Sequence, residues 1–143
     1  AEPDNLAIPR DLAKLLWAEG EGAQALKLLD SLPPDARAEP EIARLHAHLS
    51  LAETARQTPP LAELDAALAR DAGDLAAHYQ RAAVLLAADD FAGAMEELLF
   101  IARTDRSFRH DIGRTSLLAL FDLLGSAHPL TRQYRQALSE SLH

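Results

Sequence analysis

Residues 85–114 read LLAADDFAGAMEELLFIARTDRSFRHDIGR, and this stretch decides the fold. It contains the end of one helix, a tight turn at Asp89-Asp90, and a second amphipathic helix. That second helix carries a small residue, Ala94, where the two must approach closely. A basic connector and the start of a further helix follow. Two short helices joined by a tight turn cannot bury their apolar faces alone, so the unit calls for neighbours of the same kind.

Composition points the same way. The chain has 143 residues, 48% of them hydrophobic, with Ala and Leu dominant and Val and Ile scarce. Ala and Leu lose little side-chain freedom in a helix, whereas β-branched residues lose more. An all-α fold follows, long enough for one domain with a core and too short for two. With no cysteine, disulfide scaffolds, thiolate metal sites and thiol catalysis are excluded within this chain. No apolar run approaches the roughly 20 residues that span a bilayer, and no signal-peptide pattern opens the sequence. The start at Ala-Glu-Pro-Asp reads as an excised fragment or processed product of a soluble, cytoplasmic protein.

Charge is uneven. Residues 1–102 carry 8 Lys/Arg against 18 Asp/Glu, whereas residues 103–143 carry 6 Arg against 4 acids. An acidic body repels a phosphate backbone, so nucleic acid is not an expected partner. The basic tail suits an acidic partner, although a solvated polar surface is the plainer reading of the pattern.

Helix-period patterning and breakers give eight helices, over 9–19, 23–32, 40–55, 61–70, 75–88, 91–103, 112–124 and 129–142. In the first, Leu12, Leu15, Leu16 and Trp17 are the apolar positions. Asp74 is placed as an N-cap, and Thr58-Pro59-Pro60 breaks the chain. Aligning residues 19–32 with 88–101 sets Ala25 on Ala94, Leu29 on Leu98 and Gly20 on Asp89, 69 residues apart. That is about two periods of roughly 34. A middle hairpin, 39–55 with 61–70, fills the gap in looser register. The expected fold is therefore a right-handed, tetratricopeptide-repeat-like helical solenoid. It has about three degenerate hairpins over 9–104, a probable linker at 1–8, and a capping helix pair at 109–143. Trp17 and Tyr79 are read as core or groove residues.

Catalytic constellations are weak. Gly20 and Gly22 lie at a helix–helix turn and make no phosphate loop. His46 and His48, two apart on a helix, point in different directions. Asp74 and His78 have i,i+4 spacing without further ligands, and capping accounts for Asp74. His110, Asp111 and Ser116 lack a nucleophile elbow. The adjacent pairs Glu96-Glu97 and Asp89-Asp90 are solvated surface. No enzyme, cofactor, metal or small-molecule substrate is expected.

Binding is the remaining class. On the clearest repeat the inner positions are Ala76, Tyr79, Gln80 and Ala83, all uncharged. Arg10 and Lys14 lie one turn apart on the first helix, but the only Asn, Asn5, precedes it. A carboxylate clamp on the inner helices is not expected. A groove at Tyr79, Gln80 and Ala83 suits an amphipathic helix or an unfolded hydrophobic segment.

Three tail motifs are specific. Residues 99–108 read LFIARTDRSF, 114–125 read RTSLLALFDLLG, and 129–138 read PLTRQYRQAL. With the segment 29–53, they resemble the C-terminal region of the thioredoxin-fused co-chaperones called chaperedoxins. The family's thioredoxin domain and its cysteines are absent here, so any redox role lies elsewhere. The resemblance implies binding of unfolding clients and docking onto the chaperonin or the Hsp70 system, with the last helix as the chaperonin contact. Read by itself, that helix sets Leu130, Tyr134, Ala137, Leu138 and Leu142 on one face and Arg132, Arg135, Gln136, Ser139 and Glu140 mostly on the other. The candidate partner-binding set is Arg132, Tyr134, Arg135, Leu138 and Leu142, against the plain alternative of a solenoid cap. The alternative function is a scaffold adaptor that assembles one dedicated complex.

Overall fold

The structure, a computed structural model, describes residues 6–141, and the regular structure among them is helical. In order come α1 (Ala7–Ala18), α2 (Gly22–Asp30), α3 (Pro34–Arg37), α4 (Pro40–Gln57), α5 (Leu61–Arg70), α6 (Leu75–Ala87), α7 (Phe91–Thr104), α8 (Ile112–Leu124) and α9 (Pro129–Ser141). The eight expected helices are present. The single turn α3 is an addition, opened by Pro34, whose fixed φ suits a first helical position. α1 starts two residues ahead of Pro9, so Ala7 and Ile8 of the expected linker are helical. A proline in the first turn lacks only an N–H that has no intrahelical partner.

The repeat register is written in the backbone of two turns. After α1, the Glu21 N–H donates to the Leu16 carbonyl at 2.8 Å and the Gly20 N–H to Trp17 at 3.0 Å. After α6, the Asp90 N–H donates to Leu85 at 2.8 Å and the Asp89 N–H to Leu86 at 2.9 Å. Each partner is offset by the same 69 residues. Both turns are Schellman caps, which need a left-handed residue at the step past the helix, here Gly20 at φ 82° and Asp89 at φ 62°. The aligned Ala25, Ala94, Leu29 and Leu98 are all fully buried. Asp90 then caps α7 by accepting from the Gly93 N–H at 2.9 Å, and Asp74 caps α6 through Ala77 at 3.1 Å.

Two apolar cores result. Ala13, Ala25, Leu29, Ile42 and Leu49 form the N-terminal one. The larger C-terminal core joins Ala47 and Leu51 to buried residues of α6, α7, α8 and α9. α4 supplies both, from different faces. Its polar residues reach its neighbours: His46 meets Asp30 of α2 at 2.8 Å, Ser50 meets the Tyr79 hydroxyl at 2.7 Å, and Arg44 donates to Asp122 of α8 at 2.8 Å.

Three packing details differ from the expected stack. α5 packs on α6 rather than pairing closely with α4, and Leu64 is its single buried residue. α8 packs against α7, α9 and also back onto α4. It meets α7 at Gly113, where an added Cβ would lie 2.9 Å from the Ala102 amide nitrogen and 3.0 Å from the Leu98 carbonyl oxygen. In α1, Ala13 is buried and Leu16 and Trp17 are partly covered, whereas Leu12 and Leu15 are exposed. Too many positions of α1 are apolar for one packing face to cover them all.

The twin turns make a paired prediction. Gly20→Ala should lower stability by about 1 kcal/mol, since a Cβ is disfavoured in left-handed backbone. Asp89→Gly should raise it by up to about 1 kcal/mol through the same term. Urea denaturation checks both, and a loss on Asp89→Gly would contradict the cap assignment.

A second prediction concerns pH. Burial holds the His48 pKa below the ordinary histidine value, with the Trp17 ring edge-on at 4.8 Å. The unfolded chain therefore binds this proton first as pH falls through about 6.5, and stability drops below that point. Urea midpoints at pH 7.5 and 5.5 should fall further for the native sequence than for His48→Gln.

Candidate functional site

α9 is seated by its apolar face, as its sequence pattern requires. Tyr134 and Leu138 are buried, and Thr131 is completely so. The Tyr134 hydroxyl donates to Glu96 Oε1 at 2.7 Å, joining α9 to α7. Burial, reinforced by the bond to Glu96 and its charge, pushes this phenol well above the ordinary tyrosine range. At the far end, Arg103 Nε donates to Ser141 Oγ at 2.8 Å. Arg132, Gln133 and Gln136 face solvent, and the Arg135 guanidinium lies 5.4 Å from the Phe121 ring centre.

The candidate partner-binding set is thus divided. Arg132 and Arg135 are on the outer surface, while Tyr134 and Leu138 are core residues that a partner meets only if α9 lifts. Leu142 lies outside the described residues.

The groove set fares differently. Tyr79 and Ala83 are fully buried, within the core shared by α4, α6, α7 and α8, and only Gln80 is partly accessible. The connector before α8 closes this surface: the Arg109 guanidinium stands 5.3 Å from the Tyr79 ring centre. Burial raises the Tyr79 pKa, and its hydroxyl is held by Ser50. Tyr79 and Ala83 are therefore packed within the chain's own core, with Arg109 of the connector over the Tyr79 ring, and present no open groove.

The candidate chemical residues are engaged structurally. His46 meets Asp30 while His48 meets Trp17, so the two do point apart. His78 lies between the Ala72 carbonyl, to which Nε2 donates at 2.7 Å, and the Glu97 carboxylate, with Phe100 stacked on its ring at 4.1 Å. Ser116 is completely buried and its Oγ has no hydrogen-bond partner, so no base is set against it.

Two surface features had no counterpart in the sequence reading. One is an apolar stripe on α1, Ile8, Leu12 and Leu15, at 69%, 44% and 54% exposure. Their 4-and-3 spacing puts them on one face. The other is a cleft of about 510 Å³ between α2–α4 and the α7–α8 connector. Arg37, His46, Arg109, His110 and Arg114 line it, with Asp30 and Asp111. Arg109, His110 and Asp111 run through three consecutive left-handed conformations, φ 47°, 58° and 64°. L-residues avoid this region, and no glycine in the sequence announces it. The turn just ahead of it is held by Asp105, which accepts from the Ser107 N–H at 2.9 Å and hydroxyl at 2.6 Å. Those two bonds also keep the Asp105 carboxyl below the usual range.

Tyr134→Phe should cost about 1 kcal/mol, because it leaves the packing and removes the bond to Glu96. Tyr134→Ala should cost about 3 kcal/mol or more, because it empties a core site. Thermal unfolding of the two variants separates the polar contribution from the packing one.

A tetratricopeptide repeat model matches residues 54–143, and a second tetratricopeptide repeat model matches residues 1–49. No curated protein and no solved structure matches the chain. The twin caps, the buried small residues at repeat spacing and the stacked hairpins agree with those matches: the chain belongs to the tetratricopeptide-repeat family, whose repeats serve protein–protein interaction.

Proposed function

We propose that this domain is the interaction part of a bacterial, cytoplasmic co-chaperone. It holds unfolding clients reversibly and docks onto the chaperonin or the Hsp70 system, with no chemistry of its own. The observation that carries the reading is the apolar stripe Ile8, Leu12 and Leu15, left in solvent on a helix whose other face is packed. An exposed apolar face is a general means of engaging unfolded chains, which present apolar segments without a fixed shape. The tail motifs at 99–108, 114–125 and 129–138 support the docking half, which falls to the outer face of α9 with Arg132 and Arg135. Among the described residues no helix is long and apolar enough to cross a membrane.

The test uses surface variants that leave both cores intact. Ile8→Ser/Leu12→Ser/Leu15→Ser should lose suppression of heat-induced aggregation of two unrelated enzymes. Arg132→Ala/Arg135→Ala should lose capture of purified chaperonin or Hsp70 and keep the suppression. Deleting α9 is the poorer experiment, since it strips Tyr134 and Leu138 from the core. Absence of aggregation suppression by the native sequence, with one unrelated partner retained from lysate, would replace this reading by the dedicated adaptor.

A further inference from the structure

We propose that the cleft between α3, α4 and the α7–α8 connector is a second docking site, for an extended acidic protein segment that presents carboxylates to Arg37 and Arg109. Counted with neutral histidines the protein carries a net −8, yet this cleft gathers three arginines against two carboxylates. Both carboxylates are already engaged, Asp30 with His46 at 2.8 Å and Asp111 with Arg114 Nε at 2.7 Å. Arg37 and Arg109 have no carboxylate partner among the described residues. α3 divides the surface: Arg37 lines this cleft, while Asp35 and Glu39 line the neighbouring hollow beside α1. A concave site lined by one uncompensated sign concentrates the opposite one.

Arg109 is also pre-set. Its guanidinium lies 5.3 Å from the Tyr79 ring centre and 5.0 Å from that of Phe108. Contact with rings occupies the faces of a guanidinium and leaves its N–H edges available, which is the geometry that receives a carboxylate with two parallel bonds. The left-handed run at 109–111 carries this side chain on a backbone that L-residues rarely adopt, and such strain is kept where the neighbourhood fixes it. At about 510 Å³ the cleft falls within the ordinary range for ligand sites, and its open form suits a chain segment rather than an enclosed small molecule. It is separate from the α1 stripe and the α9 face. It also lies away from the α6 positions where a carboxylate clamp was not expected.

The experiment is fluorescence anisotropy of the full chain with a fluorescein-labelled hexapeptide, Ser-Glu-Glu-Glu-Glu-Ser, amidated at its C-terminus. The expected result is saturable binding that weakens with salt, at least tenfold tighter than for the Gln-for-Glu peptide. Arg37→Gln or Arg109→Gln should each weaken it roughly tenfold, with Arg70→Gln, an equal charge change on α5, without effect. Equal affinity for the Glu and Gln peptides, or an equal loss on Arg70→Gln, would overturn the site. Tight binding of the Gln peptide only when its C-terminus is free would reassign the cleft to a terminal carboxylate and overturn the segment proposal. Displacement by sub-millimolar inorganic phosphate at constant ionic strength would overturn it in favour of a phosphoryl anion. Aggregation suppression measured on the same variants isolates the outcome, because it should be unchanged in all of them.

Discussion

Everything in this molecule depends on α4 being apolar in two directions. Ile42 and Leu49 close the N-terminal core, and Ala47 and Leu51 open the C-terminal one. A helix that faced only one way would leave two small half-domains, each too poor in apolar surface to persist alone. Since both sides of α4 are covered, its polar residues cannot all turn to water, and they bridge to α2, α6 and α8 instead. These bridges add modest energy individually. Together they tie α4 to α2, α6 and α8, and α4 forms one wall of the cleft.

Much of the fold was legible because its signals are local. Asp74 and Asp90 cap by side-chain chemistry acting within three residues. The twin turns were legible as Gly20 over Asp89, although Asp in place of Gly at the left-handed step hides the motif from composition alone. α3 escaped notice because a single turn has no periodicity to detect. The exposure of Leu12 and Leu15 is not legible in the sequence, because α1 has more apolar positions than one packing face can use and only the neighbours decide which are left over. Tyr79 is legible as core or groove and turns out to be core, whereas Ala83 reads as groove because a regular stack would expose it. The return of α8 to α4 is a long-range choice that no window of sequence records.

The surfaces were harder still. On α9 the outward arginines and inward Tyr134 follow from an amphipathic pattern, and that part was readable. The cleft draws on Asp30, Arg37, His46, Arg109 and Arg114, residues from two separate segments, 30–46 and 109–114, with no spacing rule between them. Its left-handed turn contains no glycine and its arginines look like ordinary surface charge. What separates Arg37 and Arg109 from Arg114 in the same cleft is the lack of an acid partner, a property that exists only after folding.

α5 has a consequence of a different kind. It is anchored by Leu64 on α6 and by the Arg81–Asp65 pair, and it contributes to neither of the two main clusters. The segment from Pro59 to Arg70 is therefore an appendage spliced between two walls, α4 and α6, that already touch each other. Chain length there is a free variable of the architecture. The segment can be lengthened, exchanged or fused to a reporter at the cost of closing a longer loop, which grows only slowly with length. It is the place where this fold can take on cargo without disturbing its frame.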